Sequence, residues 1–496
     1  MIPRPILPCG LLAAALALFP RAVPAAPIAQ PPRHVLTAAE WRADLAVLAR
    51  ELPARHRNAF HEISRAQFDS MVAALDRAIP TLEDPAVILG MARIVAAIGD
   101  GHTRLTLPEE PAVAFSQAHS TTPPPKLPGL MFHHFPVRFR LYSDGLFVAL
   151  ADSAHVELCG RRVEKIGHAT ATDALAAVRP CVAVDNEMGA RLVAPEVLGI
   201  PEVLDALGLS ERNAPPSFVF EDGRGVRVME LGSLPLGAPV RWISARERDR
   251  VPAPLWQQRP EAFFWLAPAG DGHTLYAQVN RILDSPDETL AAFAARLADT
   301  LAHGKFDRLA LDLRQNSGGS NELNRSLVRA LAASPKLARP GHLFVILGPG
   351  TFSAAGMLAS QLEYLTPALF VGEPGGARPS GYGDAKKFQL PNSGLTVRAS
   401  SVAWRDWSVD ESRPWIAPDL PAAPSSADDR AGIDPALARI VAFPAAPDLV
   451  TVVREALAAG GDSSRLWWTV YRYANDARTY ADTAQVKAAG ALLPKP

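Results

Sequence analysis

Cysteine is nearly absent: the chain has three in 496 residues, Cys9, Cys159 and Cys181. That excludes a disulfide-dense scaffold. Without a Cys-x-x-Cys pair or a neighbouring histidine pair it also excludes a cysteine-held metal. Excess charge of one sign is missing as well, with 50 Lys and Arg against 51 Asp and Glu and a net charge of −1. Nucleic-acid binding needs a dense basic face to displace counterions from phosphates, so no nucleic-acid partner is expected. Past the N-terminus no apolar run reaches the roughly 18 residues of a membrane helix, so no span is expected in the mature chain.

Other features are plentiful. Forty-six prolines imply long irregular connections, and an apolar fraction of 48% rules out wholesale disorder. At roughly 100–200 residues per domain the length corresponds to two to four domains. Residues 1–26 carry Arg4, an apolar run from Ile6 to Phe19, and small residues at Ala22, Ala25 and Ala26. This is the layout of a secretory signal cleaved near Ala25 or Ala26, which makes the protein periplasmic or extracellular. Cys9 lies inside the apolar run, where a lipid-modified cysteine would follow it. Export leaves two alternatives for Cys159 and Cys181: a disulfide between them, or two unlinked thiols.

Apolar residues three and four apart predict helices over Ala39–Leu52, Ala66–Ile79 and Pro85–Ile98, with Thr37 and Asp84 as N-caps. The third runs into Gly99-Asp100-Gly101-His102-Thr103. Residues 107–136 read as loop. From Val137 short strands take over, with hairpins about Asp144-Gly145 and Asp222-Gly223, and residues 184–215 look like an insertion. From Phe263 to Val402 apolar strands alternate with helices, the mark of an α/β sheet covered by helices. The tail beyond 446 returns to helix.

Chemistry concentrates at Asp312–Ser353. The strand RLALDLR ends in Gln315-Asn316-Ser317-Gly318-Gly319, and the strand HLFVILG ends in Gly348-Pro349-Gly350-Thr351-Phe352-Ser353, each followed by a helix. Functional groups in such sheets gather beyond the carboxyl ends of the strands. Glycines there let backbone amides approach a ligand oxygen, as an oxyanion hole requires. Ser353 would face the same crevice; the alternative is that it merely caps its helix. A serine nucleophile needs a base. Gly-Asp-Gly-His-Thr occurs twice, at 99–103 and 270–274, and only the second sits in an obvious hairpin, which favours His102 over His273. The Gly-x-Ser-x-Gly, Ser-x-x-Lys and His-Glu-x-x-His templates are not met around Ser353 or His61, and His133-His134 lack a third ligand, so no metal is expected.

The motifs LALDLRQNSGG, FVILGPGTFSAAG, LFVGEPGG, LPNSGLTVRAS and WIAPDL with GIDPALARI, supported upstream by IGDGHTRL, resemble the tail-specific and tricorn-type serine peptidases. The resemblance covers roughly 260–440. It implies an α/β protein with a crotonase-like ββα core at 236–445. An N-terminal helical domain and loop would occupy 27–136, a divergent PDZ-like module 137–235 and a helical tail 446–496. Carried over by motif, Ser353 is the nucleophile, His102 the base, and Gly318, Gly319 and Ala354 the oxyanion hole, with a peptide or protein as substrate and no cofactor.

Departures shape the expectation. Where the tail-specific branch has its lysine base the chain reads Gly375-Gly376-Ala377-Arg378, and an arginine does not lose its proton, so the Ser–His version of the tricorn-like branch is favoured. Lys386 and Lys387 lie farther on. Gly101 replaces the serine that the tricorn branch carries before its histidine. Asp100, Asp410 or Glu411 could orient His102, Glu411 standing for the family's distant glutamate. A catalytically degenerate scaffold that binds peptides or apolar ligands, as in the interphotoreceptor retinoid-binding proteins, is the alternative. A crotonase-like acyl enzyme fits poorly with export, because acyl-CoA is cytoplasmic.

Overall fold

The computed structural model describes residues 35–107, 132–210, 215–221, 223, 225–235, 238–405, 411–444, 448–460, 463–475 and 483–493. Residues 1–26, read above as a secretory signal, and Asp222 and Asp410 lie outside the described residues.

Three helices open the fold: Ala38–Arg55, Arg65–Ala78 and Asp84–Ala96. The first two begin in capping boxes, Thr37 with Glu40 and Ser64 with Gln67, so orphan N–H groups of each first turn are met reciprocally. Asp84 is not the N-cap of the third, since Glu83 holds that position. The Asp84 carboxylate is instead fully buried and accepts the Trp41 indole N–H at 2.8 Å, tying the first helix to the third.

These helices share one core with an antiparallel β-layer. Its sheet runs in the order Ile243–Ser244, Gly145–Ala151, Arg162–Ile166, Ser217–Glu221, Val226–Glu230, with Val137–Tyr142 paired to the second of these and Ala169–Thr170 to the third. The stretch read as an insertion is built of two helices, Glu187–Val197 and Pro201–Ala206. Asn186 starts the first of them. Its Oδ1 accepts the N–H groups of Met188 and Gly189, and its Nδ2 donates to the Gly375 and Pro414 carbonyls. This clamp brings the neighbouring Asp185 against the second half of the chain.

The second half is organised by a six-stranded sheet in the order Phe264–Pro268, Thr274–Val279, Arg308–Asp312, Leu343–Leu347, Leu369–Gly372, Leu420–Pro421. The first pair is antiparallel and every other neighbouring pair parallel. Alternate side chains serve opposite faces. Leu309, Leu311, Leu343, Val345 and Leu347 pack with the helices Leu290–His303, Asn324–Ala332 and Ala354–Leu365. Ala310, Phe344 and Ile346 pack on the other face with Trp256, Tyr276 and the helix Pro435–Val441. Burial on both faces is why these strands read as unbroken apolar runs.

A third, three-stranded sheet bridges the halves. The strand Thr396–Arg405 pairs on one side with Ser380–Gln389 and on the other with Arg104–Leu105, just past His102. The sequence reading has Lys386 and Lys387 entering a strand, but that strand begins earlier, at Ser380, because Gly381 and Gly383 are poor strand formers and hide its start. No helix among the described residues is long and apolar enough to cross a membrane.

Cys159 and Cys181 are not bonded to each other, which corrects the disulfide alternative. The Cys159 thiol is buried and donates to the Ile243 carbonyl at 3.1 Å, and Cys181 ends a 3₁₀ turn at Arg179–Cys181. Burial pushes both thiols up to about 11, so neither is a thiolate at neutral pH. Alkylation of the urea-unfolded protein without reductant should therefore modify both, and mass spectrometry of the two peptides checks this.

Candidate active site

The two glycine-rich turns meet as the strand order requires, since Arg308–Asp312 and Leu343–Leu347 are parallel neighbours. The junction is tied by main-chain acceptors. Thr351 Oγ1 donates to the Leu313 carbonyl at 2.9 Å, and Phe352 N–H donates to the Asn316 carbonyl at 3.0 Å. Asn316 is fully buried and donates through Nδ2 to the Val279 carbonyl at 2.9 Å.

Ser353 holds the N-cap position of the helix Ala354–Leu365, but its side chain makes no capping bond. Its backbone sits at φ 53° and ψ −127°. Positive φ in a non-glycine residue costs on the order of 1–3 kcal/mol and persists where the surroundings impose it. The imposed turn throws the hydroxyl away from its own helix and toward His102: Ser353 Oγ and His102 Nε2 are 3.0 Å apart. The capping alternative is thereby set aside.

His102 reaches Ser353 from 251 positions away because its own turn is self-bracing. Asp100 Oδ1 accepts the His102 N–H at 2.8 Å, and Oδ2 accepts the Thr103 hydroxyl. The twin motif does the same, with Asp271 accepting from His273 N–H at 3.0 Å and from Thr274 Oγ1 at 2.6 Å. The Asp carboxylate braces both turns, but their backbones differ, Gly272 having φ +80° where Gly101 has no positive φ. The first turn is placed at the crevice, and His273 is exposed.

Behind His102, Asp100 is met by His56, whose Nε2 lies 3.0 Å from Oδ2. Asn58 N–H donates to His56 Nδ1 at 2.9 Å, which makes Nδ1 an acceptor and assigns the proton of the neutral ring to Nε2, pointing at Asp100. Burial opposes ionisation of Asp100. The His56 bond, the nearby His102 and the hydroxyls of Ser400 and Thr103 outweigh it and hold the carboxyl below the usual carboxylate range. Asp100 Oδ1 stands 3.8 Å from His102 Nδ1, too far for a hydrogen bond but close enough for charge to act. The Nδ1 atom itself is buried with no partner among the described residues. The imidazole stacks on Phe352 at 4.5 Å between centroids. Burial, with Arg398 and Arg104 adding to it and Asp100 opposing, pushes its pKa below the ordinary 6.5, so the ring is neutral at pH 7.

Ser353, Ala354 and Gly319 line one cleft of about 70 Å³ with His102, and Tyr382 and Trp404 form part of its wall. Gly318 is placed differently from its expectation as an oxyanion donor. Its N–H donates to Asn316 Oδ1 at 2.9 Å and is already committed. Its role is steric: φ is +110°, and a Cβ there would stand 2.6 Å from Ser353 Cβ. Gly318→Ala should cost about 1–3 kcal/mol in stability and displace Ser353, measured by urea unfolding and by serine reactivity. Gly319 has φ +144°, and a Cβ on it would strike the Ile282 carbonyl at 2.2 Å. Ala354 is the first residue of its helix, where N–H groups have no intrahelical acceptor.

Glu411 does not orient His102. Both its oxygens are taken by Arg413, which also grips Glu363, and the carboxylate beside the imidazole is Asp100. Arg378 donates through Nε to the Asp185 carbonyl at 2.7 Å and pairs with Glu62 at 2.8 Å. His133 is bonded to Glu202. Asp100, His102 and Asp185 present donor atoms within 4.8 Å of one another, but the carboxylate oxygens already accept N–H and O–H groups of the protein. Sequence reasoning missed Asp185, His56 and Phe352. No local pattern marks them, because each acts across the fold.

No family profile and no curated protein sequence matches the chain. Solved structures do. Mature CPAF superposes with a TM-score of 0.55 at 13% identity, over 86% of this chain and 99% of that one. The two share a fold. Mature CPAF complexed with lactacystin gives a TM-score of 0.56 at 13% identity, over 82% of this chain and 98% of the other. The photosystem II D1 C-terminal processing protease is more distant, with a TM-score of 0.37 at 14% identity over 80% and 98%.

Proposed function

We propose that the chain is an exported serine peptidase of the tail-specific and tricorn-like kind. The observation that carries the reading is the 3.0 Å contact between Ser353 Oγ and His102 Nε2 at a cleft lined by Gly319 and Ala354. Base and nucleophile within hydrogen-bond reach, in a strained turn that frees the hydroxyl, is the geometry of an activated serine.

In this mechanism the neutral imidazole takes the Ser353 proton at Nε2 as Oγ attacks the substrate carbonyl carbon. The N–H groups of Gly319 and Ala354 face the oxygen as it becomes an oxyanion. The imidazolium, favoured by ionised Asp100, returns the proton to the leaving amine, and water then hydrolyses the acyl-enzyme by the same steps. Asp100 replaces Glu411 as the carboxylate, and His56 and Thr103 keep it charged.

The test is covalent labelling with a fluorophosphonate and mass spectrometry of the active-site peptide. Ser353 should label in the parent and no serine should label in Ser353→Ala; an unlabelled parent sinks the reading and favours a binding protein on this scaffold. Because a protein of this fold has been solved with lactacystin, that compound is a second probe. Export is tested separately: the mature N-terminus should begin just after Ala25 or Ala26.

A further inference from the structure

Asp185 is a buried carboxyl that the mechanism above does not use. It is 7% exposed, and it lines the cleft with Ser353 and His102. Oδ1 accepts the Gly101 N–H at 2.7 Å and Oδ2 accepts the Arg378 N–H at 3.4 Å, so it braces the Asp100–Gly101 peptide unit, one residue before His102. Gly101 leaves the room for it. A Cβ at that position would stand 2.9 Å from the Phe352 ring and 3.3 Å from Asp185 Oδ1, so any larger residue would push against the carboxyl. The donor atoms of Asp185, Asp100 and His102 fall within 4.8 Å of one another.

We propose that Asp185 is a positioning residue of this site: it fixes the Asp100–Gly101 peptide that leads into His102 and, by holding or releasing one proton, sets how strongly the imidazole is stabilised in its charged form. The inference rests on the Ser–His reading of the cleft. Two carboxyls this close do not both ionise freely. Asp100 is the better solvated of the two by protein donors, with His56 Nε2, Thr103 Oγ1 and His102 N–H on its oxygens, so it keeps the charge. Asp185 keeps the proton at lower pH. Burial first, then the charge of Asp100, pushes it up to about 7, against the N–H groups of Gly101 and Arg378.

Charged groups face this pair from several elements. Arg378 faces Asp185 and is itself paired with Glu62. Arg104 and Arg398, on the paired strands beyond the turn, and Asp384, on Ser380–Gln389, face His102, and His56 backs Asp100. As pH rises through neutrality, Asp185 releases its proton and a second negative charge appears beside the imidazole. That charge favours the imidazolium formed when Ser353 gives up its proton. Reactivity therefore rises with an ionisation near pH 7, distinct from the lower titration of His102 itself.

Two readouts on the full chain separate this role from a merely structural one. In the first, histidine labelled with ¹³C at Cε1 is titrated by NMR, the His102 signal being assigned by its loss in His102→Gln. The parent should show an inflection near pH 7 besides the ring's own, and Asp185→Asn, whose amide oxygen can still accept the Gly101 N–H, should lose it. In the second, the fluorophosphonate labelling rate is followed from pH 5 to 9. Asp185→Asn should lose the same inflection and label about tenfold more slowly at pH 8. A parent chain with no inflection near pH 7 overturns the proposal without any variant, as does an inflection that survives in Asp185→Asn. If the inflection depends on Asp185 but Ser353 labels at no pH, the role of Asp185 stands and only the peptidase reading falls.

Discussion

His102→Ala should slow acylation of Ser353 by about a thousandfold or more, because the hydroxyl is left to ionise against water. Hydrolysis of a peptide substrate should fall with it. The double variant His102→Ala with Ser353→Ala should be no slower than Ser353→Ala alone, since base and nucleophile act as one unit and their effects do not add. Unfolding free energies of these variants should stay close to the parent's, because neither side chain carries the core. Single-turnover labelling of each variant, with urea unfolding alongside, measures both quantities. A histidine variant that labels at the parent rate would assign the base elsewhere.

The second large effect is on stability. Arg314, at the end of Arg308–Asp312, bonds both oxygens of Asp434 at 2.9 and 2.8 Å and also reaches Asp312 at 2.9 Å. Tyr276 donates to the same Asp312 oxygen, Oδ2, at 2.7 Å, and Asp434 caps the helix Pro435–Val441. The Arg314 side chain is 13% exposed and that of Asp434 is 6%. Asp434→Ala leaves Arg314 paired with Asp312 but takes the acceptors from its two buried terminal N–H groups and uncaps the helix, so it should lower the unfolding free energy by about 2–4 kcal/mol. Urea unfolding at pH 7 reads this directly. The segment that leads from Arg314 to Gly319 would loosen too, so serine labelling should fall further than the unfolded fraction alone explains.

The sequence pattern singled out Ser353, the proposed nucleophile, because it follows a strand and a glycine-rich turn and precedes a helix. It singled out His102, the proposed base, only by exclusion. In both Gly-Asp-Gly-His-Thr copies the Asp carboxylate braces the turn, and what separates His102 from His273 is tertiary position. Which glycine amide is open to the cleft was not readable at all, since Asn316 captures Gly318 N–H through a side-chain rotamer. Glu411 was misread because Arg413, two residues on, closes over it. Asp185 was invisible for another reason: its segment has no strand alternation and reads as surplus chain, yet the Asn186 clamp folds it against the site. The Asn186 clamp is long-range, whereas the Asn316 and Arg413 bonds are local choices of side-chain rotamer, and periodicity records neither.

The three-stranded sheet carries a consequence for how the protein comes into being. The residues just after His102 are zipped to Val397 and Arg398, so the turn that bears the imidazole is held by a strand nearly three hundred positions downstream. A chain emerging N-terminus first can complete its early helices, but it cannot assemble the reactive centre until that distant strand is available. Any reactivity of Ser353 that depends on His102 is thus withheld until residues Thr396–Arg405 have been made.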